Sequence, residues 1–249
     1  NNSTKIHHDQ IMRLLKQLGI LNASKIANSL QGSIWRARIP VHDTDLAPVV
    51  IKVADRYLQQ SSLAQLGHRF VKVDEDVVSE AKLLKRATQR ADCPASIVKF
   101  YQFFKSKTDY YLVMEDGGSS LFEFIVKAHQ FIAAGKIDAA HWKKAVKVIF
   151  KQMLECVEYL HSLNIAHLDI SMENFLINDV VITTTDDGKV EFQLSSIRVK
   201  LCDFGLAEAF SDNFLCDKFC GKRSYKSPEV VAKKPGFDAQ KNDIWCLAV

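Results

Sequence analysis

The sequence predicts an α+β protein with a strand-rich first part and a mainly helical second part. The runs at residues 34–39 and 49–53 are rich in the β-branched and apolar residues typical of strands. Apolar residues recur with a helical period from residue 121 to 163, and Gly117-Gly118 interrupts the chain just before them. We therefore expect two lobes, formed by residues 1–116 and 117–249.

The first lobe is predicted to contain an N-terminal helix, a five-stranded sheet and a second helix. Apolar residues at mixed three- and four-residue spacings predict the N-terminal helix over residues 6–18. The second helix is expected over residues 74–87 and carries Glu80. Two further strands are expected at residues 97–104 and 110–114.

The composition fits an ordinary globular protein and argues against several classes of function. The chain is 47% hydrophobic and 25% charged, and its net charge of +4 is too small to indicate nucleic-acid binding. No apolar run approaches the roughly 18 residues of a membrane span. The six cysteines lack the density of a secreted disulfide scaffold. We therefore expect a protein of a reducing compartment, the cytoplasm or the nucleus.

Two motifs in the second lobe indicate the chemistry. The stretch from His167 to Asn174 places the carboxylate of Asp169 five residues before the amide of Asn174, and Asp203-Phe204-Gly205 follows after a short strand pattern. Phosphoryl transfer uses one carboxylate to orient the attacking hydroxyl, while an amide and a second carboxylate hold magnesium. Either motif alone is weak, but the two in this order strongly favour phosphoryl transfer.

From residue 26 to 249 the chain resembles the eukaryotic-type protein kinase catalytic domain, which implies the two-lobed protein kinase-like fold. The resemblance makes Asp169 the residue that orients the substrate hydroxyl, and Asn174 and Asp203 the Mg2+ ligands. Lys52 matches the strand lysine that contacts the ATP phosphates. Glu80 matches its helical partner, with Glu75 as the competing candidate.

The resemblance also implies an ATP site with an apolar slot and backbone groups that hydrogen-bond to the base. Met114 would stand at the back of the adenine pocket, and Ile34, Val50 and Leu176 would sandwich the ring. The residues expected to bind the nucleotide are Ile34, Val50, Lys52, Met114, Glu115, Gly117, Ser120 and Leu176. ATP and Mg2+ are therefore the expected cosubstrate and cofactor.

The loop that covers the phosphates departs from the family pattern. Gly32 aligns with its last glycine, whereas Ala27 and Ser29 occupy the positions of the other two. Because glycine lets backbone N–H groups approach phosphate closely, we expect weaker nucleotide binding, although not its loss.

The activation segment, residues 203–229, also departs from the pattern. Leu168 replaces the arginine that in many relatives binds a phosphate on this segment, and the segment contains no threonine. Lys218 occupies the approximate position of the usual phosphosite. We therefore expect an enzyme that is not switched by phosphorylation of this segment.

Ser171 and Lys222 form the third departure. Ser171 stands where serine/threonine kinases carry a lysine that stabilises the γ-phosphate, and Lys222 stands at a threonine of the activation segment. The resemblance implies that these two positions touch. The hydroxyl and the ammonium have thus exchanged places, which makes both residues candidates for the catalytic set; coincidence in a decaying pseudokinase is the alternative.

Two segments are long for the family. Residues 54–73 are a polar insertion, expected to be partly mobile. Residues 178–196 are predicted to form an extra β-hairpin that turns at Asp187-Gly188. This hairpin is either a structural addition or a docking element for a protein partner.

The function best supported by these residues is ATP- and Mg-dependent phosphorylation of serine or threonine in proteins, with no nucleic acid or membrane partner. Met172-Glu173-Asn174 resembles the serine/threonine version, and Ser227-Pro228-Glu229 favours a protein substrate. A pseudokinase acting as a nucleotide-binding or interaction scaffold is the alternative. Asp243 begins the match to the family's central helix and is expected to fix the catalytic loop; the helices that would follow it are missing, so we expect the native protein to continue.

Overall fold

The computed structural model describes residues 2–41, 45–66, 69–72, 75–178, 180–186, 188–211 and 213–249. The chain forms two compact units. The first consists of Asn1–Ala81 and Lys99–Asp116, and the second of Lys82–Val98 and Gly117–Val249. The segment Lys82–Val98 thus belongs with the second unit, although it precedes the last strands of the first.

The first unit is mainly β-structure. Its helices are α1 (Asn2–Gln17), α2 (Arg56–Gln60) and the first turn of α3 (Val77–Thr88). Its strands are β1 (Leu21–Ser29), β2 (Gly32–Pro40), β3 (Leu46–Asp55), β4 (Leu63–Leu66), β5 (Arg69–Lys72), β6 (Phe100–Lys105) and β7 (Asp109–Glu115).

Five of these strands form one antiparallel sheet in the order β1-β2-β3-β7-β6. Side chains of adjacent strand residues point to opposite faces, so Trp35 and Ala37 are buried while Arg36 and Arg38 are exposed. The buried face packs against Ile11 and Leu15 of α1, which are one helical turn apart. The core of the first unit lies on this face.

A two-residue turn, Leu30-Gln31, joins β1 and β2. Gly32 directly follows the turn and pairs with Ala54 of β3. A Cβ atom at Gly32 would overlap the carbonyl oxygen of Val53. The close packing of β2 on β3 therefore requires glycine at this position.

The insertion at residues 54–73 forms regular elements in its described part. Helix α2 begins after Asp55, whose carboxylate accepts a hydrogen bond from the N–H of Leu58 at 3.0 Å. Strands β4 and β5 pair antiparallel as a separate hairpin. Val73 lies outside the described residues.

The second unit is built mainly on α4 (Leu121–Ala133) and α5 (Ala139–Ser162). Its other helices are α6 (Pro228–Val231) and α7 (Ala239–Ala248). Its strands are β8 (Ser119–Ser120), β9 (Ile165–Ala166), β10 (Phe175–Asn178), β11 (Ile182–Thr184), β12 (Val190–Phe192), β13 (Arg198–Leu201), β14 (Glu208–Ala209), β15 (Leu215–Cys216) and β16 (Phe237–Asp238).

Helix α5 provides much of the core of this unit. Asp138 caps its start, because its carboxylate accepts hydrogen bonds from the N–H groups of Ala140 and His141. The buried side chains recur at three- and four-residue intervals and so form one face: Ala145, Ile149, Met153, Cys156, Val157 and Leu160. In the described part of the chain no helix combines the length and the apolar character needed to cross a bilayer.

Strands β11 and β12 form an antiparallel hairpin, with Ile182 opposite Phe192. Gly188 lies in its turn with a positive φ of 78°, while Asp187, the other residue of the predicted turn, lies outside the described residues. Phe192 is buried in an aromatic cluster with Phe124, His141 and Trp142. Its N–H also donates to His141 Nε2 at 2.9 Å, so one residue fixes this strand to the helices.

Candidate active site

In the first unit, the buried carboxylate of Glu80 accepts a hydrogen bond from Lys52. Lys52 Nζ lies 2.9 Å from Glu80 Oε2 and 3.8 Å from Glu75 Oε2. The side chain of Lys52 is 11% exposed and that of Glu80 is 1% exposed. An unpaired charge buried this deeply would destabilise the protein, so each of these two side chains needs the opposite charge of the other. Glu80 is the nearer of the two candidate carboxylates.

Strand register places four of the predicted nucleotide-binding residues on one face of the sheet. Ile34 lies opposite Lys52, and Val50 lies opposite Met114. Directly opposed residues project to the same side, and residues two apart along β3 do so as well. This face is the reverse of the one that packs against α1. Glu115, at the end of β7, exchanges hydrogen bonds with Lys99 through its N–H and its carboxylate.

In the second unit, Gly117, Ser120 and Leu176 lie together. Ser120 pairs with Leu176 across β8 and β10. The hydroxyl of Ser120 also caps α4 by accepting from the N–H of Glu123 at 3.2 Å. A Cβ at Gly117 would meet Leu176 Cδ1 at 2.6 Å, so glycine permits this close contact.

Asp169 and Asn174 are directly bonded. Asn174 Nδ2 donates to the backbone oxygen of Asp169 at 2.7 Å and to Asp169 Oδ2 at 2.6 Å. Because the amide nitrogen is the donor in both bonds, the amide oxygen is the atom oriented to accept a donor or a cation. One loop thus holds the carboxylate and the amide of the first motif in a fixed relation.

Lys222 and Ser171 are also in contact with this pair. Lys222 Nζ lies 2.7 Å from Ser171 Oγ and 3.0 Å from Asp169 Oδ2. The N–H of Lys222 donates to Asp169 Oδ1 at 3.1 Å. The ammonium of Lys222 therefore lies beside Asp169, as the exchange hypothesis requires, and the side chain of Lys222 is 35% exposed.

Gly221 allows the activation segment to come this close to residues 167–174, the predicted catalytic loop. Its φ is +86°, and a Cβ there would meet the carbonyl oxygen of Leu168 at 2.7 Å. Because of the positive φ and this contact, any residue other than glycine at this position would be strained. In the sequence, Gly221 is marked by its place directly before Lys222.

The catalytic loop itself is fixed by Asp243. This fully buried carboxylate accepts hydrogen bonds from the N–H of His167 at 2.8 Å and of Leu168 at 2.9 Å, and contacts His161 Nε2 at 3.0 Å. Leu168 has a φ of +65°, which is unfavourable for a residue with a side chain. The carboxylate of Asp243 thus stabilises a strained backbone next to Asp169.

Asp203 lies at the same end of a strand pair as Asn174. Asn174 directly precedes β10, and the antiparallel β13 ends at Leu201, which pairs with Phe175. The N–H of Cys202 donates to the carbonyl oxygen of Asn174 at 2.9 Å, and Asp203 follows with a left-handed backbone. His167 packs edge-on against Phe204, and its Nε2 contacts the carbonyl oxygen of Cys202 at 3.0 Å.

The donor set fits Mg2+. An amide oxygen and a carboxylate are the hard oxygen ligands that this ion prefers, and in phosphate-transferring sites it typically takes one or two carboxylates with the substrate phosphates as its other ligands. In the described residues, His, Cys, Asp and Glu side chains do not form a group of three that could hold a metal by themselves. A site completed by the substrate is consistent with that donor set.

Comparison with known proteins shows the family. Residues 33–249 match the model of the protein kinase domain, so the chain belongs to the protein kinase family and the predicted resemblance is confirmed. A crystallised kinase domain aligns with a TM-score of 0.65 and 22% identity, over 92% of this chain and 61% of that one. This likeness confirms the predicted α+β kinase-like fold.

The curated relatives include serine/threonine and other protein kinases. Carbon catabolite-derepressing protein kinases of Candida glabrata and Saccharomyces cerevisiae are each 24% identical over 88% of this chain. A probable myosin light chain kinase of Dictyostelium discoideum is 32% identical over 65% of it. The chain spans 29%, 28% and 45% of the lengths of these three relatives, respectively.

We predict that Asp243→Asn destabilises the second unit, because an amide nitrogen cannot accept from a backbone N–H. Hydrogen bonds to charged groups are worth about 1.5–3 kcal/mol, and we expect a loss in this range in the free energy of unfolding measured in urea. The exposed Asp186→Asn is the matched control and should leave stability unchanged. Equal stability of the two variants would contradict the role given to Asp243.

Proposed function

We propose that this chain catalyses the ATP- and Mg2+-dependent transfer of the γ-phosphate to serine or threonine hydroxyls of proteins, in the cytoplasm or the nucleus. The observation that carries the proposal is the contact between Asp169, Asn174 and Lys222, which brings a carboxylate, an amide and a cation together. These are the groups needed to orient a hydroxyl and to stabilise phosphoryl charge. The bonded pair of Lys52 and Glu80 supports the same function.

Asp169 would orient the substrate hydroxyl. Its Oδ2 accepts from Asn174 and Lys222, and its Oδ1 accepts from the N–H of Lys222. A carboxylate held by three donors keeps one orientation, which favours a fixed geometry for the hydroxyl that it accepts from.

Asn174 and Asp203 would hold Mg2+, and Lys52 would contact the nucleotide phosphates. The ion would supply neutralisation of the charge on the phosphates. Lys52 is suited to its role because Glu80 fixes its ammonium from the helix side. Ile34, Val50, Met114, Glu115, Gly117, Ser120 and Leu176 would bind the remainder of the nucleotide.

Lys222 would stabilise the transferring phosphoryl group from the activation segment. Charge accumulates on the phosphoryl oxygens in the transition state, so a cation already positioned there lowers the barrier. Ser171 Oγ and Asp169 Oδ2 both accept from the ammonium and orient it without enclosing it. The hydroxyl at residue 171 and the ammonium at residue 222 would then perform the roles that the family usually assigns to the opposite positions.

The activation segment would adopt its conformation without phosphorylation. Leu168 is buried in an apolar cluster that contains Cys216 of this segment, with Phe214 and Phe219 packed against it, and Val230 and Phe237 from just beyond the segment. Apolar packing thus occupies the position from which an arginine would bind a phosphate, and it stabilises the segment by burial instead.

A pseudokinase that binds nucleotide without transferring phosphate is the second candidate. The tight turn at Leu30-Gln31 favours it, because Ala27 and Ser29 occupy the positions of two loop glycines and pair with Ile34 and Gly32 across the β1–β2 ladder. A thermal-shift titration with ATP and Mg2+, followed by a phosphate-transfer assay, separates the two candidates. Binding without transfer would assign the chain to the second.

Asp203→Ala should abolish Mg2+-dependent transfer and leave the fold intact, because this carboxylate is assigned to metal ligation rather than packing. We expect a loss in turnover of around 10³-fold or more, which corresponds to about 4 kcal/mol of barrier. The assay is phosphate incorporation into a protein substrate, with the exposed Asp186→Ala as control. Near-normal turnover of Asp203→Ala would remove it from the magnesium site.

Protein produced without an activating kinase, or treated with phosphatase, should keep its full activity. The physical reason is that apolar packing around Leu168 replaces the pairing of arginine with phosphate. Turnover before and after phosphatase treatment, with the phosphorylation state followed by mass spectrometry, provides the measurement. A large drop after dephosphorylation of Ser211, Ser224 or Ser227 would refute this expectation.

Lys222→Ala should lose most of the turnover while ATP binding changes little, since the contact strengthens mainly in the transition state. Steady-state kinetics and nucleotide titration measure the two effects, and the exposed Lys234→Ala is the control. The double exchange Ser171→Lys with Lys222→Thr should recover part of the turnover. Unimpaired turnover of Lys222→Ala would end the proposed role.

A further inference from the structure

Helix α2, within the inserted segment, contacts two parts of the first unit: the turn between β1 and β2, and the start of α3. Both lie near residues proposed to bind the nucleotide. Gln31, in the turn between β1 and β2, is 3% exposed and donates through Nε2 to the carbonyl oxygen of Leu58 at 3.2 Å. The backbone oxygen of Gln31 accepts from the N–H of Asp55 at 2.8 Å. The turn that replaces the glycine-rich loop is thus bonded to the inserted helix.

Gln59 extends these contacts to helix α3. Its Nε2 donates to Gln31 Oε1, and its Oε1 accepts from the N–H of Val77 at 2.8 Å. Val77 is the first residue of α3, and its N–H has no partner within the helix. The side chain of Gln59 therefore accepts a hydrogen bond from the first N–H of α3 and also bonds to the β1–β2 turn.

Other donors in the first turn of α3 bond to Asp76, the residue just before the helix. Its carboxylate accepts from the N–H of Val78 at 2.9 Å and from Ser79 Oγ at 2.7 Å, and its carbonyl oxygen accepts from the N–H of Glu80 at 2.9 Å. Asp76 acts within its own segment. Gln59, in contrast, joins this turn to helix α2.

Glu80 lies in this same first turn, and its carboxylate bonds Lys52 at 2.9 Å. A carboxylate bonded at this distance loses its partner when the helix start shifts by an ångström. The position of the first turn of α3 therefore decides whether Glu80 stays bonded to Lys52.

We propose that Gln59 is a positioning residue: it fixes the first turn of α3 so that Glu80 stays bonded to Lys52. The inserted helix thereby supplies a permanent support for the Lys52–Glu80 pair. The proposal rests on the proposed function for its consequence in catalysis, but its structural step concerns Val77, Glu80 and Lys52 alone.

The test compares Gln59→Ala with Gln60→Ala. Both are glutamines of the same short helix, but Gln60 is exposed. Hydrogen exchange of the amides of residues 77–80 and the rate of labelling of Lys52 by an amine-reactive reagent are measured without any need for activity. Gln59→Ala should accelerate both, whereas Gln60→Ala should change neither.

Kinetics then separate positioning from general stability. Loss of one helix-capping contact predicts a fall in kcat of about fivefold for Gln59→Ala. Gln59→Glu should recover part of it, because a carboxylate still accepts from the N–H of Val77 and suits a helix N-terminus, although it cannot donate to Gln31 Oε1. In a Glu80→Gln background, Gln59→Ala should cost little more, since both changes act on the same pair.

Unchanged exchange and labelling in Gln59→Ala would overturn the proposal, and so would an undiminished kcat loss in the Glu80→Gln background. If Gln59→Ala does not fold, Gln59→Met replaces it, and failure of both to fold would assign Gln59 to stability instead. A wild-type protein without any transferase activity would refute the proposed function only. The exchange and labelling results would still decide the role of Gln59.

Discussion

The carboxylate of Asp243 fixes the backbone on which the candidate active site of the second unit depends. Three hydrogen-bond donors converge on its two oxygens, and two of them are consecutive backbone N–H groups at His167 and Leu168. The left-handed conformation of Leu168 costs free energy that these bonds offset. Asp169 is the next residue, so the direction of its carboxylate follows from a bond made 74 residues away in the sequence.

The activation segment depends on the same backbone. The left-handed Leu168 presents its carbonyl oxygen where a Cβ on Gly221 would collide with it, so this contact admits glycine there. The next residue is Lys222, whose N–H and ammonium both donate to Asp169. The position of the Lys222 ammonium thus depends on the backbone of Leu168, which Asp243 stabilises, and on the glycine at residue 221.

The sequence was sufficient for the parts of the site that depend on local spacing. The relation of Asp169 to Asn174 lies within one loop. The grouping of Ile34, Lys52, Val50 and Met114 was implied by the family resemblance, and strand register places them on one face of the sheet. The contact between Ser171 and Lys222 was also inferred, but only through family resemblance, since 51 residues separate them.

Gln59 and Gly221 show what sequence reasoning could not reach. Gln59 lies in a polar insertion whose composition suggested partial mobility, and its partners are a turn 28 residues earlier and a helix 18 residues later. Hydrogen bonds between distant segments leave no periodic pattern in the sequence. Gly221 is one of ten glycines, and only the approach of the Leu168 carbonyl distinguishes it from those that lie in open turns.

The two units support their reactive groups by different physical means. In the first, polar side chains of an insertion bond the β1–β2 turn and the start of α3, and the ion pair of Lys52 and Glu80 lies one turn further on. In the second, Leu168 packs in a buried apolar cluster with Cys216 of the activation segment and with Phe237. Both supports are built from groups whose charge a phosphatase or a kinase does not change.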